Sequence, residues 1–462
     1  MLNFEQNTLK PLVGAGRKLF VETYGCQMNV GDTEIVVSIM QNEGYRYTEN
    51  IEEADVILLN TCSIRDNAEQ RIWGRLSDLR RYRRKKRRLV IGVIGCMAER
   101  LKEKLLEGRD AVDLVAGPDA YRDLPRLTQE AGAGNRSVNI LLSTEETYAE
   151  IAPVRLDQNG VSAYIAIMRG CNNYCSYCVV PYTRGIERSR DPQTIVQEAE
   201  SLFANGYREV TLLGQNVNSY QMGEVDFPEL IRRVAAVSPL LRVRFATSHP
   251  KDMSDRLLEV VASTPNACRA IHLPAQSGST EVLTKMNRKY TREWYLDRVA
   301  SIRRLLPDCS ITTDLIAGFS GESEEDHQQT LSLMREVGYD FAYMFKYSER
   351  PGTFAQRHYP DDIAEQTKAR RLAEIIDLQS ELSLESNRHD IGRTFEVLVE
   401  GESKKHSEQF CGRSSQNKTV VFDRGTSHIG DYVWVHITTC TPATLIGDVV
   451  TINDRKEGNN EI

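Results

Sequence analysis

No uninterrupted apolar run in this sequence reaches the ~20 residues that a membrane-spanning helix needs. The start, Met1-Leu-Asn-Phe-Glu-Gln-Asn-Thr8, lacks the basic and apolar regions of a signal peptide. A cytoplasmic protein with no membrane partner is therefore expected, and in that compartment the ten cysteines are ligands or thiols rather than disulfides. An excess of positive charge is missing as well. The net charge of −7 argues against a surface that coats nucleic acid throughout, though not against a local basic patch. Paired C-x-x-C units, the usual mark of a structural zinc site, are also absent. What remains is a chain of 462 residues, 40% hydrophobic and 27% charged, a globular composition with room for about three domains.

The informative residues are cysteines. Cys171, Cys175 and Cys178 form C-x-x-x-C-x-x-C within Arg169-Gly-Cys-Asn-Asn-Tyr-Cys-Ser-Tyr-Cys178. Three thiolates on one short loop can hold three irons of a 4Fe–4S cluster and leave the fourth open to chelate a substrate. Buried packing cysteines do not ordinarily crowd into eight positions flanked by Gly and Asn. Cys268, Cys309, Cys411 and Cys440 have no such setting and read as packing thiols.

Three further cysteines recur in a pattern. Lys18–Tyr24 leads to Cys26, Ala54–Asn60 to Cys62 and Leu89–Ile94 to Cys96, each followed by residues with helical periodicity. Apolar runs alternating with period-3.6 segments indicate an open parallel sheet with covering helices, to which Val112–Ala116 adds a strand. The carboxyl ends of parallel strands share one edge, so Cys26, Cys62 and Cys96 should converge there. Helix N-termini at that edge favour anionic sulfur. A second three-ligand cluster follows.

From about Val154 to Leu378, six strand-like runs alternate with helical ones: Tyr164–Met168, Glu209–Leu213, Arg242–Ala246, Ala270–Leu273, Ile311–Ile316 and Phe341–Phe345. That suits an incomplete (β/α)6 barrel with its chemistry on the carboxyl-end loops. After the amphipathic Ala369–Leu384 the pattern changes to short strands, Phe395–Val399, Gln409–Gly412, Thr419–Phe422, Tyr432–Ile437 and Leu445–Val450, which fit a small five-strand barrel. Lys404, Lys405, Arg413 and Lys418 fall in its loops or strand edges beside Ser414–Asn417, an arrangement suited to RNA. A capping or oligomerising module is the bland alternative. The run Arg80–Arg88 holds eight basic residues around Tyr82, and reads equally as a solvated loop or a nucleic-acid contact.

The triplet loop resembles the signature of the radical S-adenosylmethionine (SAM) superfamily, and the tail resembles a TRAM domain. The order of the parts, with Glu22–Asn29, Leu59–Cys62, Gly95–Met97 and His272–Ser279, resembles the radical SAM methylthiotransferases over nearly the whole chain, within them the branch acting on tRNA. The resemblance implies an α/β protein of three domains: residues 1–150 with an auxiliary cluster, a radical SAM barrel over 154–384 and a TRAM barrel over 388–453. It implies two 4Fe–4S clusters, on Cys171/Cys175/Cys178 and on Cys26/Cys62/Cys96, with SAM bound near Tyr177, Gln215, Asn216, Gln276, Ser277 and Asp314.

Reduction at the barrel cluster would cleave SAM to a 5′-deoxyadenosyl radical, and a second SAM would methylate sulfur carried at the auxiliary cluster. The methylthio group would then pass to carbon 2 of N6-isopentenyladenosine next to the anticodon, whose C–H has no acidic proton for a side-chain base. Expected partners are that tRNA anticodon arm, an electron donor such as flavodoxin or ferredoxin and a sulfur source, acting with a monomeric enzyme. Two other readings are a ribosomal-protein aspartate methylthiotransferase, whose usual N-terminal motif differs from Gly25-Cys-Gln-Met-Asn29, and a non-catalytic iron–sulfur RNA-binding protein.

Overall fold

The computed structural model describes residues 13–63, 66–86, 88–107, 112–156, 159–404 and 406–451. Lys405, Arg87 of the basic run, the first twelve residues, and Ile452 and Asn453 at the expected end of the tail lie outside the described residues. The chain forms two compact units. One comprises residues up to Leu156 together with Val179–Arg188; the other comprises Asp157–Cys178 and everything from Ser189 onward.

The first unit is built on six parallel strands, β1 (Lys18–Thr23), β2 (Arg46–Tyr47), β3 (Val56–Thr61), β4 (Val90–Gly95), β5 (Leu114–Ala116) and β6 (Ser137–Asn139), in the order β2-β1-β3-β4-β5-β6. Every residue of the central β3 and β4 is buried. That explains why their sequences, Val-Ile-Leu-Leu-Asn-Thr and Val-Ile-Gly-Val-Ile-Gly, are nearly continuous apolar runs: helices cover both faces. On one face α1 (Gln27–Asn42) and α4 (Leu124–Gly132) pack Val36, Met40, Leu124 and Leu127 on Leu58 and Val90. On the other, α2 (Asp66–Lys85) and α3 (Cys96–Leu101) set Ile72, Leu76 and Met97 on Ile57, Leu59 and Val93. Strands β2 and β6 are too short to stand out by periodicity. Arg80–Lys85 of the basic run, read as a loop or a nucleic-acid contact, form the last turns of α2: Arg80, Arg81, Arg84, Lys85 and, beyond the helix, Arg88 are exposed, while Arg83 pairs with Asp113 and Lys86 with Asp55.

In the second unit, six parallel strands form two arcs, β7 (Ser162–Ala166), β8 (Glu209–Leu213) and β9 (Arg242–Ala246), then β10 (Ala270–His272), β11 (Ser310–Ala317) and β12 (Phe341–Lys346). A bridge between Val243 and Ala267 joins the arcs. Helices shield the convex face, where Val210, Val243, Ile271, Ile311 and Ala342 are buried. The tail is a closed antiparallel-rich barrel of β13 (Thr394–Glu402), β14 (Gln409–Ser414), β15 (Thr419–Asp423), β16 (Tyr432–Cys440) and β17 (Leu445–Val450), in the order β13-β14-β15-β17-β16, around Phe395, Val397, Phe410, Phe422 and Ile437. The expected fold class, a parallel α/β sheet, a partial β/α barrel and a small β-barrel, is the one observed. Cys411 corrects one expectation: it alternates with buried Phe410 and Gly412 along β14, so it points away from the tail's core.

The β14–β15 turn closes the amino end of the β/α barrel. Arg242 donates to the carbonyl of Arg413 at 2.7 Å and Arg244 to those of Ser414 and Ser415 at 2.6 and 3.1 Å, while the Ser310 hydroxyl donates to Gln416 O at 2.6 Å. Ser414, Ser415 and Gln416, expected to face RNA, thus supply backbone acceptors to the barrel floor. Lys418 is likewise a correction. Its ammonium turns inward, 2.6 Å from Asp390 and 3.3 Å from Asp340, with Ser386 at 2.8 Å, and its side chain is 13% exposed. A long cation with two nearby carboxylates gains more inside than at the rim, because without it Asp340 would keep only neutral donors, Ser386 and the Ile311 N–H. Lys418→Met should therefore lower the unfolding free energy by about 2–4 kcal/mol. Lys404→Met, at an exposed side chain, should change it by less than about 0.5 kcal/mol, which denaturant titration of both variants checks.

Candidate active site

The three N-terminal cysteines sit just past three strand ends, as the strand polarity requires. Cys26 follows β1 and caps α1, Cys62 follows β3, and Cys96 opens α3. Cys62 and Cys96 are buried and Cys26 is half-buried. The loops are held by amides. Asn29 donates to Asn60 Oδ1 at 3.0 Å and to Thr61 O at 3.1 Å, while Asn60 donates to Asn29 O at 2.8 Å and Thr33 Oγ1 at 2.9 Å. Thr61 donates to Ile94 O at 2.6 Å, tying the Cys62 turn to β4. Glycine precedes two of the thiols for a steric reason. Gly25 has φ +128°, and a Cβ there would lie 2.4 Å from Cys62 Cβ; Gly95 has φ +90°, and a Cβ would lie 2.6 Å from Asn60 Oδ1.

Arg184, on α5 (Val180–Arg184) of the same unit, donates its Nε to Cys96 Sγ at 3.2 Å and its Nη2 to Asp32 at 2.7 Å. Tyr121 donates to the same Asp32 carboxylate at 3.3 Å. The sulfurs therefore share a buried cation. A hydrogen bond with Cys62, helped by Arg184 and the backbone N–H groups of Asn29 and Met28, holds the Cys26 thiol down at about 6 against its desolvation. Burial pushes Cys96 up, with Arg184 opposing. These donors suit a metal cluster: three thiols at one edge, one already acidic, beside a guanidinium that offsets thiolate charge.

The second thiol group lies on the loop after β7. Cys171 and Cys175 are buried and Cys178 is half-buried. The loop is pinned by the segment after β10: Ser176 N donates to Met286 O at 2.9 Å and Ser176 Oγ to Lys285 O at 2.8 Å, while Arg288 Nη1 lies 3.3 Å from Cys175 Sγ. Tyr177 is half-buried and meets Phe319 edge-on at 6.5 Å, in a cluster with Tyr347 under the glycine-rich turn that follows β11. Burial raises its phenol well above the ordinary value.

The other expected rim residues divide. Gln215 keeps a buried Oε1 with no hydrogen-bond partner, an acceptor available to a ligand. Asn216 is spent within the protein, donating to Asp252 at 2.7 Å and accepting from His249 N at 3.0 Å. Ser277 Oγ contacts Thr330 Oγ1 at 3.4 Å and accepts from Ser279 N. Gln276 has φ +73° and is locked by backbone bonds to Asp314 O and from Ile316 N, at 2.8 and 2.9 Å. Asp314 lies on the concave wall, 3.4 Å from His272 Nε2.

Three site residues carry no local sequence signal. They are Arg184, Arg288 and His249, whose ring packs edge-on to Tyr290 at 5.8 Å. Burial, reinforced by Arg288 and Lys251, drives the His249 imidazole down to about 2, so it stays neutral. Among the expected RNA contacts, Lys404 is exposed, and Arg413 is half-exposed and bonded to Asn417 at 2.9 Å.

With this geometry in hand, family comparisons are informative. Residues 18–117 match the uncharacterized protein family UPF0004, residues 165–334 the Radical SAM superfamily and residues 388–450 the TRAM domain. Solved structures share the fold: TsrM, a radical S-adenosylmethionine methyltransferase from Kitasatospora setae, at TM-score 0.54 and 13% identity, covering 74% of this chain and 77% of that one. OxsB, a cobalamin-dependent S-adenosylmethionine radical enzyme, gives TM-score 0.55 and 11% identity over 80% and 61%. Residues 165–334 are thus a radical SAM domain, a family that implies 4Fe–4S and SAM as cofactors.

Full-length relatives narrow this further. The tRNA-2-methylthio-N(6)-dimethylallyladenosine synthase of Phocaeicola vulgatus is 59% identical over 94% of this chain and 96% of its own, and that of Porphyromonas gingivalis 55% identical over 94% and 95%. The chain belongs to the tRNA-2-methylthio-N(6)-dimethylallyladenosine synthase family.

One buried acid beside the first site gives a pH test. Glu99, on α3 one turn after Cys96, has an Oε2 with no partner, and burial raises its carboxyl from 4.5 to about 7. The folded state then holds a proton that the unfolded chain has released, so stability is full below pH 4.5 and falls as pH rises to about 7. Glu99→Gln should exceed the wild type by on the order of 3 kcal/mol at pH 8, and the two should converge toward pH 4.5. Urea unfolding at both ends of that range measures it; an equal difference at both would place the charge elsewhere.

Proposed function

We propose that this enzyme transfers a methylthio group to carbon 2 of N6-isopentenyladenosine beside the anticodon in tRNA. The observation that carries the reading is two thiol triads in one chain, Cys26/Cys62/Cys96 at three strand ends and Cys171/Cys175/Cys178 on one loop, each with a buried arginine at a sulfur. Each triad would hold three irons and leave one without a protein ligand. When bound, such clusters supply reductive cleavage of SAM at the barrel loop and sulfur for methylation at the N-terminal sheet edge. The relatives' name, a synthase of methylthiolated dimethylallyladenosine in tRNA, supports the substrate and disfavours a ribosomal-protein aspartate.

The chain's own groups then have separate tasks. Arg184 and Arg288 offset thiolate charge in buried surroundings, where an unpaired charge is costly. Gln215 offers its orphaned oxygen to the SAM ammonium, and Tyr177, backed by the fully buried Phe319, gives an apolar wall for its adenine. Gln276 contributes through its fixed backbone, while Asn216 and Ser277 hold the rim loops in shape. The target base must leave the anticodon stack, because a stacked base hides its edge from a buried site. Lys404, Lys405 and Arg413 of the tail, and the exposed end of α2, provide phosphate contacts. We infer a monomer in the cytoplasm, served by an electron donor such as flavodoxin or ferredoxin and by a separate sulfur source. No helix among the described residues is long and apolar enough to cross a membrane.

Anaerobically reconstituted protein should carry about eight irons. Replacing Cys171, Cys175 and Cys178 with Ala should halve the iron and abolish SAM cleavage. Replacing Cys26, Cys62 and Cys96 should also halve it, keep SAM cleavage and stop methylthio transfer. Product at the wild-type rate from the second variant would make those thiols structural. Separately, Ala at Lys404, Lys405 and Arg413 should flatten the salt dependence of tRNA binding by roughly one unit of slope per lost phosphate contact, whereas removing Lys418 should act through stability.

A further inference from the structure

Arg184 and Arg288 each meet a cysteine sulfur, but they differ in what is left over. Arg288 commits all three of its nitrogens within the protein: Nε donates to Tyr290 Oη at 2.9 Å, Nη1 to Cys175 Sγ at 3.3 Å and Nη2 to Pro274 O at 2.8 Å. Arg184 commits two. Its Nε donates to Cys96 Sγ at 3.2 Å and its Nη2 to Asp32 at 2.7 Å, while Nη1 is buried with no hydrogen-bond partner. The residue is 3% exposed, so bulk solvent does not satisfy that donor. A buried charged donor left unpaired is costly, and a guanidinium kept in that state marks a place where an acceptor arrives.

The backbone fixes Arg184 where it is. Helix α5 ends at Gly185, whose φ of +71° turns the chain out of the helix. Thr183 Oγ1 donates back to Val179 O at 3.2 Å, and Arg188 Nη2 donates to Arg184 O at 2.8 Å. Arg188 is anchored in turn by the Asp119 carboxylate, at 2.6 and 3.2 Å. One edge of the planar fork, Nε with Nη2, is taken by Cys96 and Asp32, and the rigid donor geometry points the Nη1 hydrogens away from that edge.

The chemistry of the missing acceptor follows from this arrangement. Neutral acceptors are what the chain supplies to Arg288 in its hydroxyl and carbonyl partners, and it supplies none to Arg184 Nη1. A guanidinium donor beside thiols favours an anion. One remaining nitrogen, rather than a whole two-nitrogen edge, suits a single-atom acceptor over a carboxylate or phosphate, which guanidinium takes in pairs. At a site that handles sulfur, the small single-atom anion is hydrosulfide.

We propose that Arg184 Nη1 holds the anionic sulfur received at the Cys26/Cys62/Cys96 site, which makes Arg184 a sulfur-binding residue as well as the charge partner of Cys96. The inference rests on the function proposed above. Asp32 tempers the guanidinium, so the anion is held without being trapped.

The test uses the full chain, reconstituted anaerobically, with Cys171, Cys175 and Cys178 replaced by Ala so that only the auxiliary cluster reports. Sodium sulfide is titrated in at fixed pH and followed by electron paramagnetic resonance of the reduced cluster, with iron content measured for each protein. Arg184→Gln should weaken sulfide binding about tenfold or more, the loss of one charge-assisted hydrogen bond. Arg184→Lys, which keeps the charge but not the fork, should lose less. Asp32→Asn keeps an acceptor for Nη2 and removes the opposing charge, so it should tighten binding by about threefold. Those opposite signs separate sulfur binding from a merely structural ion pair, whose loss from either side would weaken binding alike. If Arg184→Gln loses auxiliary iron, Arg184→Lys and Asp32→Asn carry the same contrast. Binding by Arg184→Gln within about twofold of the parent, at full auxiliary iron, would overturn the assignment, as would weakening in both Arg184→Gln and Asp32→Asn. No response of the parent cluster to sulfide would instead refute the sulfur-carrying role of the site, and with it the function on which the inference rests.

Discussion

Strand polarity is the constraint from which the first site follows. Because β1, β3 and β4 run parallel and side by side, their carboxyl ends fall on one edge, and residues distant in sequence arrive together. The Asn29–Asn60 amide pair converts that coarse convergence into a fixed set of turns, since each amide bonds the loop that carries a different cysteine. Reversing one strand, or adding a Cβ at Gly25 or Gly95, would break the set with every cysteine still in the sequence.

Charge balance is the second common element. A buried thiolate is costly alone, and each triad has one guanidinium at one sulfur: Arg184 at Cys96, itself tied to Asp32, and Arg288 at Cys175, braced by Tyr290 and the Pro274 carbonyl. The tail follows the same logic. Arg242 and Arg244 of the barrel and Lys418 of the tail are consumed in joining the two, which leaves the tail one cation fewer for RNA than composition suggests.

Most of this fold is legible in the sequence because its elements announce themselves locally. The continuous apolar runs of β3 and β4 and the alternating tail strands locate the sheets, and the spacing of Cys171, Cys175 and Cys178 exposes one site without any fold. What is not legible is long-range pairing of side chains. Nothing around Lys418 marks it as facing Asp390 rather than solvent, and Arg184 reads as an ordinary loop cation until it is found at Cys96. Ser414–Asn417 look like an exposed polar turn, and the backbone carbonyls of Arg413, Ser414 and Ser415 are what hold it against Arg242 and Arg244. The alternation along β12 is visible in the sequence, but the exposure of Phe341 and Tyr343 is not.

One chain joins SAM cleavage to sulfur insertion at a prenylated base. Mass spectrometry of nucleosides tests it most directly, after the reconstituted enzyme is incubated with SAM, reductant, sulfide and prenylated tRNA. The account predicts 2-methylthio-N6-isopentenyladenosine in place of the starting nucleoside, with the methyl label of SAM in the product. SAM cleavage with the prenylated nucleoside left unchanged would contradict it.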